Sequence, residues 1–233
     1  MKIAIMQPYL FPYLGYFQLI QAVDTFVFYD DVNFIKRGWI NRNQILVDNK
    51  AALFTVPLKK SSQNKLINEI DMAFDDKWLS QFFKTIEQNY KNAPYFDDAF
   101  LILKKVFGKK QTKISSLAID SVLQISKYLQ LNTKFEVSSI AHQNSIDLSK
   151  AERLIVICKE KGYDHYINPS GGKELYQKDI FKKEGISLSF IENELLPYRQ
   201  FGNQFIKGLS IIDVLMFNTP EETKKLMNRY SLE

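Results

Sequence analysis

Apolar and polar residues recur along this chain with two periods, one typical of strands and one typical of helices. Short apolar or alternating runs predict strands over residues 3–6, 25–29, 39–47, 51–58, 135–140, 165–168 and 186–191. Apolar residues at helical spacing predict helices over residues 14–22, 77–92, 96–107, 114–131, 149–162 and 208–217. Strands that alternate with helices in this way predict an α/β protein with a mostly parallel sheet flanked by helices.

The first strand, helix and second strand form a predicted βαβ unit over residues 3–29. In open α/β sheets, ligands bind beyond the carboxyl ends of the strands. The turn after the first strand is therefore expected on the same rim of the sheet as Asp30 and Asp31, which follow the second strand.

The predicted strands lie towards the two ends of the chain, whereas residues 75–132 are helical and rich in lysine. No internal repeat and no clear linker interrupts the sequence. We therefore interpret residues 1–233 as one mixed α/β domain with a mainly helical insertion or subdomain at about 75–132. Ser149, followed three residues later by Glu152, fits the N-cap of the helix predicted over 149–162.

The composition is that of a globular protein with many aromatic side chains. Hydrophobic residues make up 45% of the 233 residues and charged residues 24%, so the chain can bury a core and is not disordered. The 18 Phe and 12 Tyr fit both an aromatic core and tyrosines that line a pocket. The net charge of +5 comes with scattered lysine doublets, so we expect a small phosphorylated substrate rather than nucleic acid.

The lone cysteine and the N-terminal residues predict a cytoplasmic protein. Cys158 lies in an apolar run, and a single thiol excludes an internal disulfide and a cysteine-based zinc site. The first apolar run is too short for the core of a signal peptide. No run approaches the roughly 20 apolar residues of a membrane-spanning helix.

The turn after the first predicted strand concentrates groups that can hydrogen-bond a ligand. Residues 7–16 hold two prolines, one glycine and the polar side chains of Gln7, Tyr9, Tyr13 and Tyr16. Core packing does not require such a gathering at a strand end, whereas a buried polar ligand does. We therefore predict that these side chains line a binding site.

Asp30 and Asp31 have several candidate roles at the end of the second strand. Carboxylates there can hold a Mg²⁺ ion, orient a sugar hydroxyl, act as a general base, or pair with Arg37 or Arg42. Neighbouring strand residues point to opposite faces, so one of the two is expected to enter the site. The sequence leaves these roles open.

A basic and aromatic stretch provides the next set of candidate ligand-binding residues. They are Lys36, Arg37, Trp39, Asn41, Arg42, Asn43 and, after the following strand, Lys59. An extended chain would place Arg37, Trp39, Asn41 and Asn43 on one side, where arginine can bind phosphate and asparagine can orient hydroxyls. The alternative is a surface hairpin with an incidental tryptophan.

A polar loop, Asn168, Ser170, Gly171, Gly172 and Lys173, follows the strand predicted over residues 165–168. Glycines allow close approach to a ligand and positive φ, and amides at a helix N-terminus together with Lys173 favour an anion. The spacing is too short for a Walker motif. A plain strand-to-helix turn capped by Ser170 is the alternative. Because this is the second such turn, we expect the two turns to flank one pocket.

His142 and His165 are the only histidines, and their spacing does not support a metal site. His165 is a candidate general base near Asn168, with a structural role as the alternative. No Gly-x-Ser-x-Gly elbow and no cofactor fingerprint is present, so the sequence leaves any metal or cofactor open. The loop at 196–202 either closes over a ligand or links the sheet to the helix at 208–217.

The chain resembles the WbqC-like protein family in five motifs. These motifs span residues 6–20, 29–32, 34–43, 56–60 and 167–176. The resemblance implies a bacterial cytoplasmic protein of O-antigen or related surface-polysaccharide pathways. It also implies transfer of an acyl or aminoacyl group, such as glycyl, to an amino sugar carried on a nucleotide or lipid.

The segment 3–20 is also similar in layout to the start of nucleotidylyltransferase-like enzymes, pantothenate synthetase among them. In those enzymes a His-x-Gly-His motif steadies the phosphates of ATP. The matching positions here are Tyr13-Leu-Gly-Tyr16, and neutral tyrosine lacks the positive charge of histidine. The likeness therefore extends to the fold and not to adenylyl transfer.

Residues and resemblance together predict a transferase that acts on a sugar nucleotide or a similar phosphorylated sugar. Gln7 and the nearby tyrosines would form the floor of the site, and Asp30 or Asp31 would be the base or a metal ligand. The cations of residues 36–42 would neutralise phosphates. The alternative is a non-catalytic protein that binds a sugar precursor within a biosynthetic complex. The sequence does not determine the donor, the acceptor or the oligomeric state.

Overall fold

In a computed structural model, the chain is described over residues 1–148 and 150–233. Within these residues it forms eight strands and nine helices. The strands are β1 (Lys2–Met6), β2 (Thr25–Phe28), β3 (Arg42–Val47), β4 (Lys50–Thr55), β5 (Lys134–Val137), β6 (His165–Pro169), β7 (Ser187–Asn193) and β8 (Tyr230–Leu232). The helices are α1 (Leu14–Gln21), α2 (Asp76–Tyr90), α3 (Phe96–Phe107), α4 (Ile114–Tyr128), α5 (Ser138–Ala141), α6 (Lys150–Glu160), α7 (Lys178–Lys183), α8 (Ile211–Phe217) and α9 (Pro220–Met227).

Six strands of the described chain form one sheet in the order β5-β2-β1-β6-β7-β8. All neighbours in this sheet are parallel except β7 and β8, which are antiparallel. Strands β3 and β4 form a separate antiparallel hairpin. The prediction of an α/β protein with a mostly parallel sheet flanked by helices is confirmed, and the likeness to nucleotidylyltransferases stays a prediction.

The sheet is covered on both faces, which explains why its central strands are continuously apolar. Ile3 and Ile5 of β1 pack into a core cluster that contains apolar residues of α6 and Phe181 of α7. Ala4, between them in sequence, packs into a larger cluster on the other face with residues of α1, α3, α4 and α8. The alternating side chains of one strand therefore serve two cores.

The helices α2, α3 and α4 occupy most of the stretch interpreted as a helical subdomain. Their buried residues, Phe82, Phe100 and Leu117 among them, belong to the larger core cluster together with Phe26 of β2. The backbone N–H of Phe11 also donates to the buried hydroxyl of Ser121 in α4, at 3.0 Å. The division of the chain at about 75–132 stays a prediction. No helix in the described residues combines the length and apolarity needed to cross a bilayer.

The predicted strand over residues 39–47 is too long at its start, because residues 36–41 form a turn. Arg37 has φ of 62°, in the left-handed region, and the N–H of Gly38 donates to the carbonyl of Ile35 at 3.2 Å. The Nε of Arg42 donates to the carbonyl of Gly38 at 2.9 Å and holds the turn closed. The expected alternation of Arg37, Trp39, Asn41 and Asn43 along an extended chain is therefore wrong.

Other boundaries also differ from the predictions. The strand predicted over 135–140 ends at Val137, because α5 starts at the next residue. The helix predicted from residue 208 begins at Ile211, after Ser210, whose hydroxyl accepts from the N–H of Ile212. Helix α9 and strand β8 are additional elements. The Ser149 N-cap lies outside the described residues.

Candidate functional site

A cleft of about 380 Å³ lies at the carboxyl ends of β1, β2 and β6. Gln7 and Tyr9 from the loop after β1 line it, and so does Tyr29 at the end of β2. Asn168, Gly171, Gly172, Leu175 and Tyr176, from the end of β6 and the segment after it, line the other part of the cleft, whereas Ser170 does not line it. The two loops meet here because β1 and β6 are adjacent and parallel, so both strands end at the same rim. The structure thus brings together the two turns that were expected to flank one pocket.

Asn168 is one of the polar side chains of the cleft that the fold itself does not use. It is 6% exposed, and its carboxamide makes no hydrogen bond to the described residues. It lies against Gly172, where an added Cβ would meet Asn168 Nδ2 at 2.0 Å, whereas a Cβ on Gly171 would meet nothing within 4 Å. The carboxamide is not among the fully enclosed polar atoms that lack a partner, so it opens to the cleft, where water or a ligand can hydrogen-bond to it. Asn168 is therefore placed to bind a polar ligand.

The loop after β6 differs from its predicted conformation. Neither Gly171 nor Gly172 has positive φ, and the segment 170–172 is a single 3₁₀ turn. Helix α7 begins only at Lys178, so no helix N-terminus faces the cleft from residue 174. The ammonium group of Lys173 binds the carboxylates of Glu192 and Glu233, at 2.6 Å each. The function of Gly172 is to leave room for Asn168, and the anion cradle that involves Lys173 is not formed.

The lining of the cleft is uncharged and combines a mainly apolar surface with several polar groups. Among the described residues that line it none is charged, and its polar groups include Gln7, Asn168 and the hydroxyls of Tyr9, Tyr29 and Tyr176. Burial, with a smaller effect of Tyr13, raises the pKa of Tyr9 to about 12, and burial also raises the pKa of Tyr29 and Tyr176. These hydroxyls therefore stay protonated at neutral pH and can donate. Such a lining suits a ligand rich in hydroxyls.

Two predicted site residues hold the first loop from behind. Tyr16 is buried, and its hydroxyl donates to the carbonyl of Gln7 at 2.8 Å. The Nδ2 of Asn43 donates to the carbonyls of Leu10 and Phe11, at 3.1 and 2.8 Å. Both side chains fix the loop backbone and do not line the cleft.

Asp30 and Asp31 are buried and do not line the cleft. Asp30 accepts hydrogen bonds from the N–H and the hydroxyl of Ser139 at the start of α5, at 3.1 and 2.9 Å. Asp31 pairs with Arg153 of α6, with 2.6 Å between Oδ2 and Nη2, and accepts from the Ser138 hydroxyl. The alternative of pairing with Arg37 or Arg42 is therefore wrong, while the acid–base role stays a prediction.

Arg153 connects the acidic pair to the cleft and was not predicted as a site residue. It is 3% exposed, and its guanidinium carbon lies 4.7 Å from the ring centroid of Tyr29, which lines the cleft. The signal in the sequence is a cation four residues before Ile157 on the apolar face of α6. A charge at such a position is rarely buried without a partner, which here is Asp31.

His165 is not part of the cleft. It is the first residue of β6 and pairs with Lys2 at the start of β1, at the opposite edge of the sheet. Asn168 lies three residues further along the strand, a distance of about 10 Å. Its Nε2 lies 3.0 Å from the Ser189 hydroxyl, and burial lowers its pKa. The expectation that His165 acts beside Asn168 as a general base is not supported by this placement.

The predicted basic and aromatic residues lie beside the first loop. Lys36 and Arg37 are exposed in the 36–41 turn, and Asn41 is tied to the carbonyl of Val56 at 2.8 Å. Lys59 is exposed after β4, where its N–H donates to the carbonyl of Asp71. The structure brings neither Asn41 nor Lys59 into the lining of the cleft.

A second cavity, of about 280 Å³, adjoins the cleft. Its lining consists of Tyr9, Pro12, Tyr13, Trp39, Asn43 and Gly208. Tyr9 lines both spaces, and the N–H of Leu10 donates to the carbonyl of Trp39 at 3.1 Å, which fixes the turn against the loop. Tyr13 and Trp39, both predicted site residues, therefore belong to this second cavity.

The loop at 196–202 is fixed to α8 by a buried carboxylate that the sequence did not single out. Asp213 accepts from the hydroxyls of Tyr90 and Tyr198, at 2.9 and 2.6 Å, and from the amide of Gln200 at 2.7 Å. Burial raises the pKa of Asp213, and these three donors oppose that rise. These contacts favour a linking role for the loop over a closing one.

Carboxylates, thiols and imidazoles do not cluster in the described residues as a metal site would need. No group of three or more His, Cys, Asp or Glu side chains is placed there to hold an ion. Cys158 is buried among apolar side chains, and burial raises its pKa to about 12. The chemistry available in the cleft is that of amides, hydroxyls and backbone groups.

Comparison with known proteins gives the family. The sequence profile of the WbqC-like protein family matches residues 7–225. An uncharacterized protein of Mycobacterium tuberculosis is 29% identical to the chain over 226 residues, which cover 95% of each protein. No solved structure gives a significant match to the chain. Because the profile covers both loops of the cleft and nearly all of the sequence, this chain belongs to the WbqC-like protein family.

Proposed function

We propose that this protein is a cytoplasmic transferase of surface-polysaccharide (O-antigen) biosynthesis. Its substrate is an amino sugar linked to a nucleotide or lipid, and it transfers an acyl or aminoacyl group such as glycyl to the sugar amine. The single observation that carries the proposal is the uncharged cleft at the strand ends, into which the carboxamide of Asn168 opens without a hydrogen-bond partner in the described residues.

The lining of the cleft supports a sugar as the ligand. A pyranose presents several hydroxyls that both donate and accept, and the cleft offers two carboxamides and protonated tyrosine hydroxyls. An anion alone would find no charged side chain among the described lining residues. We therefore assign the sugar to the cleft and its phosphates to the rim, on the side of the exposed Lys36 and Arg37.

The transfer step needs an activated donor, such as a thioester. The sugar amine attacks the acyl carbon, a C–N bond forms, the C–S bond breaks, and the amine proton leaves with the thiol. The hydroxyls of Tyr9, Tyr29 and Tyr176 are placed to hydrogen-bond the sugar or the developing oxyanion, since all three line the cleft.

A second candidate function is non-catalytic binding of a sugar nucleotide within a biosynthetic complex. The observation that favours it is the burial of Asp30 and Asp31, whose carboxylates are held by Ser138, Ser139 and Arg153. Both carboxylates already have partners within the fold, and neither lines the cleft. A binder needs only the cleft and not the acidic pair.

Thermal-shift measurements with nucleotide-linked amino sugars test the shared part of both functions. A ligand at about 100 times its Kd should stabilise the protein by about 2.7 kcal/mol. Asn168→Ala should remove most of this stabilisation, whereas Asn92→Ala, an exposed asparagine after α2, should not. If the whole panel leaves the melting temperature unchanged, both functions are wrong.

Product analysis separates the two functions. Mass spectrometry of the wild-type protein incubated with a bound amino sugar and acyl or aminoacyl thioesters should detect the amide product if the protein is a transferase. Binding without product across the donor panel would favour the non-catalytic alternative. Asp31→Asn tests the general-base role. If Asp31 is the base, this variant should lose turnover and keep its affinity for the amino sugar.

A further inference from the structure

The second cavity beside the cleft has a different chemistry from the cleft itself. Three of its walls are the rings of Tyr9, Tyr13 and Trp39, and a fourth is Pro12. Trp39 is 39% exposed, although its backbone is fixed by Leu10. A large aromatic ring held in place but left partly open is a surface for a flat ligand.

Two polar side chains of this cavity, Asn43 and Tyr13, are already engaged. Both N–H groups of the Asn43 amide donate to backbone carbonyls, and its Oδ1 accepts from the N–H of Gln44 at 2.8 Å. The hydroxyl of Tyr13 donates to Oδ1 of Asn193 at 3.2 Å. The cavity therefore offers ring faces and few free hydrogen-bonding groups, which favours stacking over recognition of ring edges.

One arginine lies beside the open ring of Trp39, and exposed cations occur in the same turn and next to the cavity wall. The guanidinium carbon of Arg42 lies 5.8 Å from the Trp39 ring centroid, and carbonyls of the same turn hold this arginine in place. Lys36 and Arg37 are exposed in that turn, and Lys207 is exposed next to Gly208 of the cavity wall. A ligand with phosphates attached to a flat ring would find both partners here.

Resting on the function proposed above, we infer that this cavity is the nucleobase subsite for a nucleotide-linked sugar, with Trp39 as its stacking platform. On this inference, the sugar of such a ligand lies in the cleft and its base in the second cavity, two spaces that share Tyr9 in their lining. Stacking depends little on the identity of the base. The subsite therefore accepts uracil, thymine and guanine with similar affinity.

Fluorescence of Trp39 tests the inference in the full chain. The protein has two tryptophans, and Trp78→Phe leaves Trp39 as the only indole. Titration of this variant with UDP should quench its emission along a saturable curve, and GDP should bind within about threefold of UDP. UDP that binds without any change in the emission of Trp39, or a strong preference for one base, would overturn the inference.

Substitution of Trp39 gives an independent measurement. Trp39→Ala should weaken UDP binding by roughly tenfold or more, while Trp39→Phe, which keeps a ring, should lose much less. Neither variant should change the affinity for N-acetylglucosamine 1-phosphate, which lacks a base. Equal UDP affinity in Trp39→Ala and the parent protein would contradict the inference.

The same probes separate this inference from the proposed function. Binding of the sugar phosphate without binding of UDP overturns the nucleobase subsite alone and leaves sugar recognition in the cleft intact. Absence of binding for UDP, the sugar phosphate and nucleotide-linked sugars alike overturns both.

Discussion

At the scale of single residues, the candidate site depends on the contact between Asn168 and Gly172. A Cβ at position 172 would meet Asn168 Nδ2 at 2.0 Å, so Gly172→Ala should push the carboxamide out of its position. We expect this variant to lose sugar-nucleotide affinity about as much as Asn168→Ala, by roughly tenfold, since one or two hydrogen bonds are lost. Isothermal titration calorimetry measures this loss.

A double-mutant cycle provides the control for this prediction. With Asn168 already reduced to Ala, the methyl group at position 172 has room, so Asn168→Ala/Gly172→Ala should bind like Asn168→Ala alone. Additive losses in the double variant would mean that Gly172 acts on the ligand by another route.

The buried ion pair of Asp31 and Arg153 makes a prediction about stability. Arg153→Met leaves Asp31 buried without its cation, which should lower the free energy of unfolding by about 3–5 kcal/mol. The matched control is Arg229→Met, which breaks an exposed pair with Glu194 and should cost about 0–1 kcal/mol. Urea denaturation compares the two. Equal effects would show that the buried pair does not stabilise the fold.

At the scale of secondary-structure elements, the sequence predicts well where burial is continuous. The apolar runs of β1, β2 and β6 predicted those strands. The polar groups that follow β1 and β6 predicted both loops of the cleft. Prediction failed at residues 36–41, because a polar stretch next to a strand does not reveal that Arg37 takes a left-handed conformation. The turn at these residues is held closed by a hydrogen bond from Arg42 to the carbonyl of Gly38, which only the folded structure shows.

Tyr90 connects three elements and carries the next prediction. Its hydroxyl donates to Asp213 of α8 and accepts from the N–H of Leu46 in β3, at 2.9 and 2.7 Å. Tyr90→Phe breaks both buried bonds and should lower the free energy of unfolding by about 1–3 kcal/mol at neutral pH. Tyr128→Phe is the control, because the Tyr128 hydroxyl makes no hydrogen bond to the described residues and its loss should change stability little.

The pH dependence of this loss has a definite sign. Burial raises the pKa of Asp213, so its contribution to stability is present at acidic pH and is lost as the pH rises through the folded-state pKa. Removing the Tyr90 hydroxyl raises that pKa further. The destabilisation by Tyr90→Phe should therefore be larger near pH 7 than near about pH 4. A loss that is larger at the acidic value would contradict this assignment.

At the scale of the whole molecule, the site is assembled from distant parts of the chain. Asp31 and Arg153 are 122 residues apart, and Gln7 and Asn168 line one cleft only because β6 pairs with β1. Strand order is not encoded in local periodicity, so the sequence could predict two ligand-binding turns and could not predict the partner of Asp31. The same limit applies to His165. The sequence predicted its strand, but it did not show that His165 lies at the start of that strand, away from the cleft.

The position of His165 at the opposite edge gives a prediction for the whole fold. Burial, and secondarily Lys2, lower its pKa below 6.5, so its contribution to stability is present above about pH 6.5 and is lost as the pH falls. His165→Gln should lose less stability than the wild type between about pH 7 and pH 5. Its affinity for sugar nucleotides should not change. A loss of binding in this variant would return His165 to the site.

A crystal structure of the protein with a bound nucleotide-linked amino sugar tests the central claim most directly. We predict that the sugar occupies the cleft between the loops after β1 and β6, with a hydroxyl within hydrogen-bond distance of the Asn168 carboxamide. A ligand found elsewhere, for example in the apolar cavity between the β3–β4 hairpin and α2, with Asn168 uncontacted, would contradict the account.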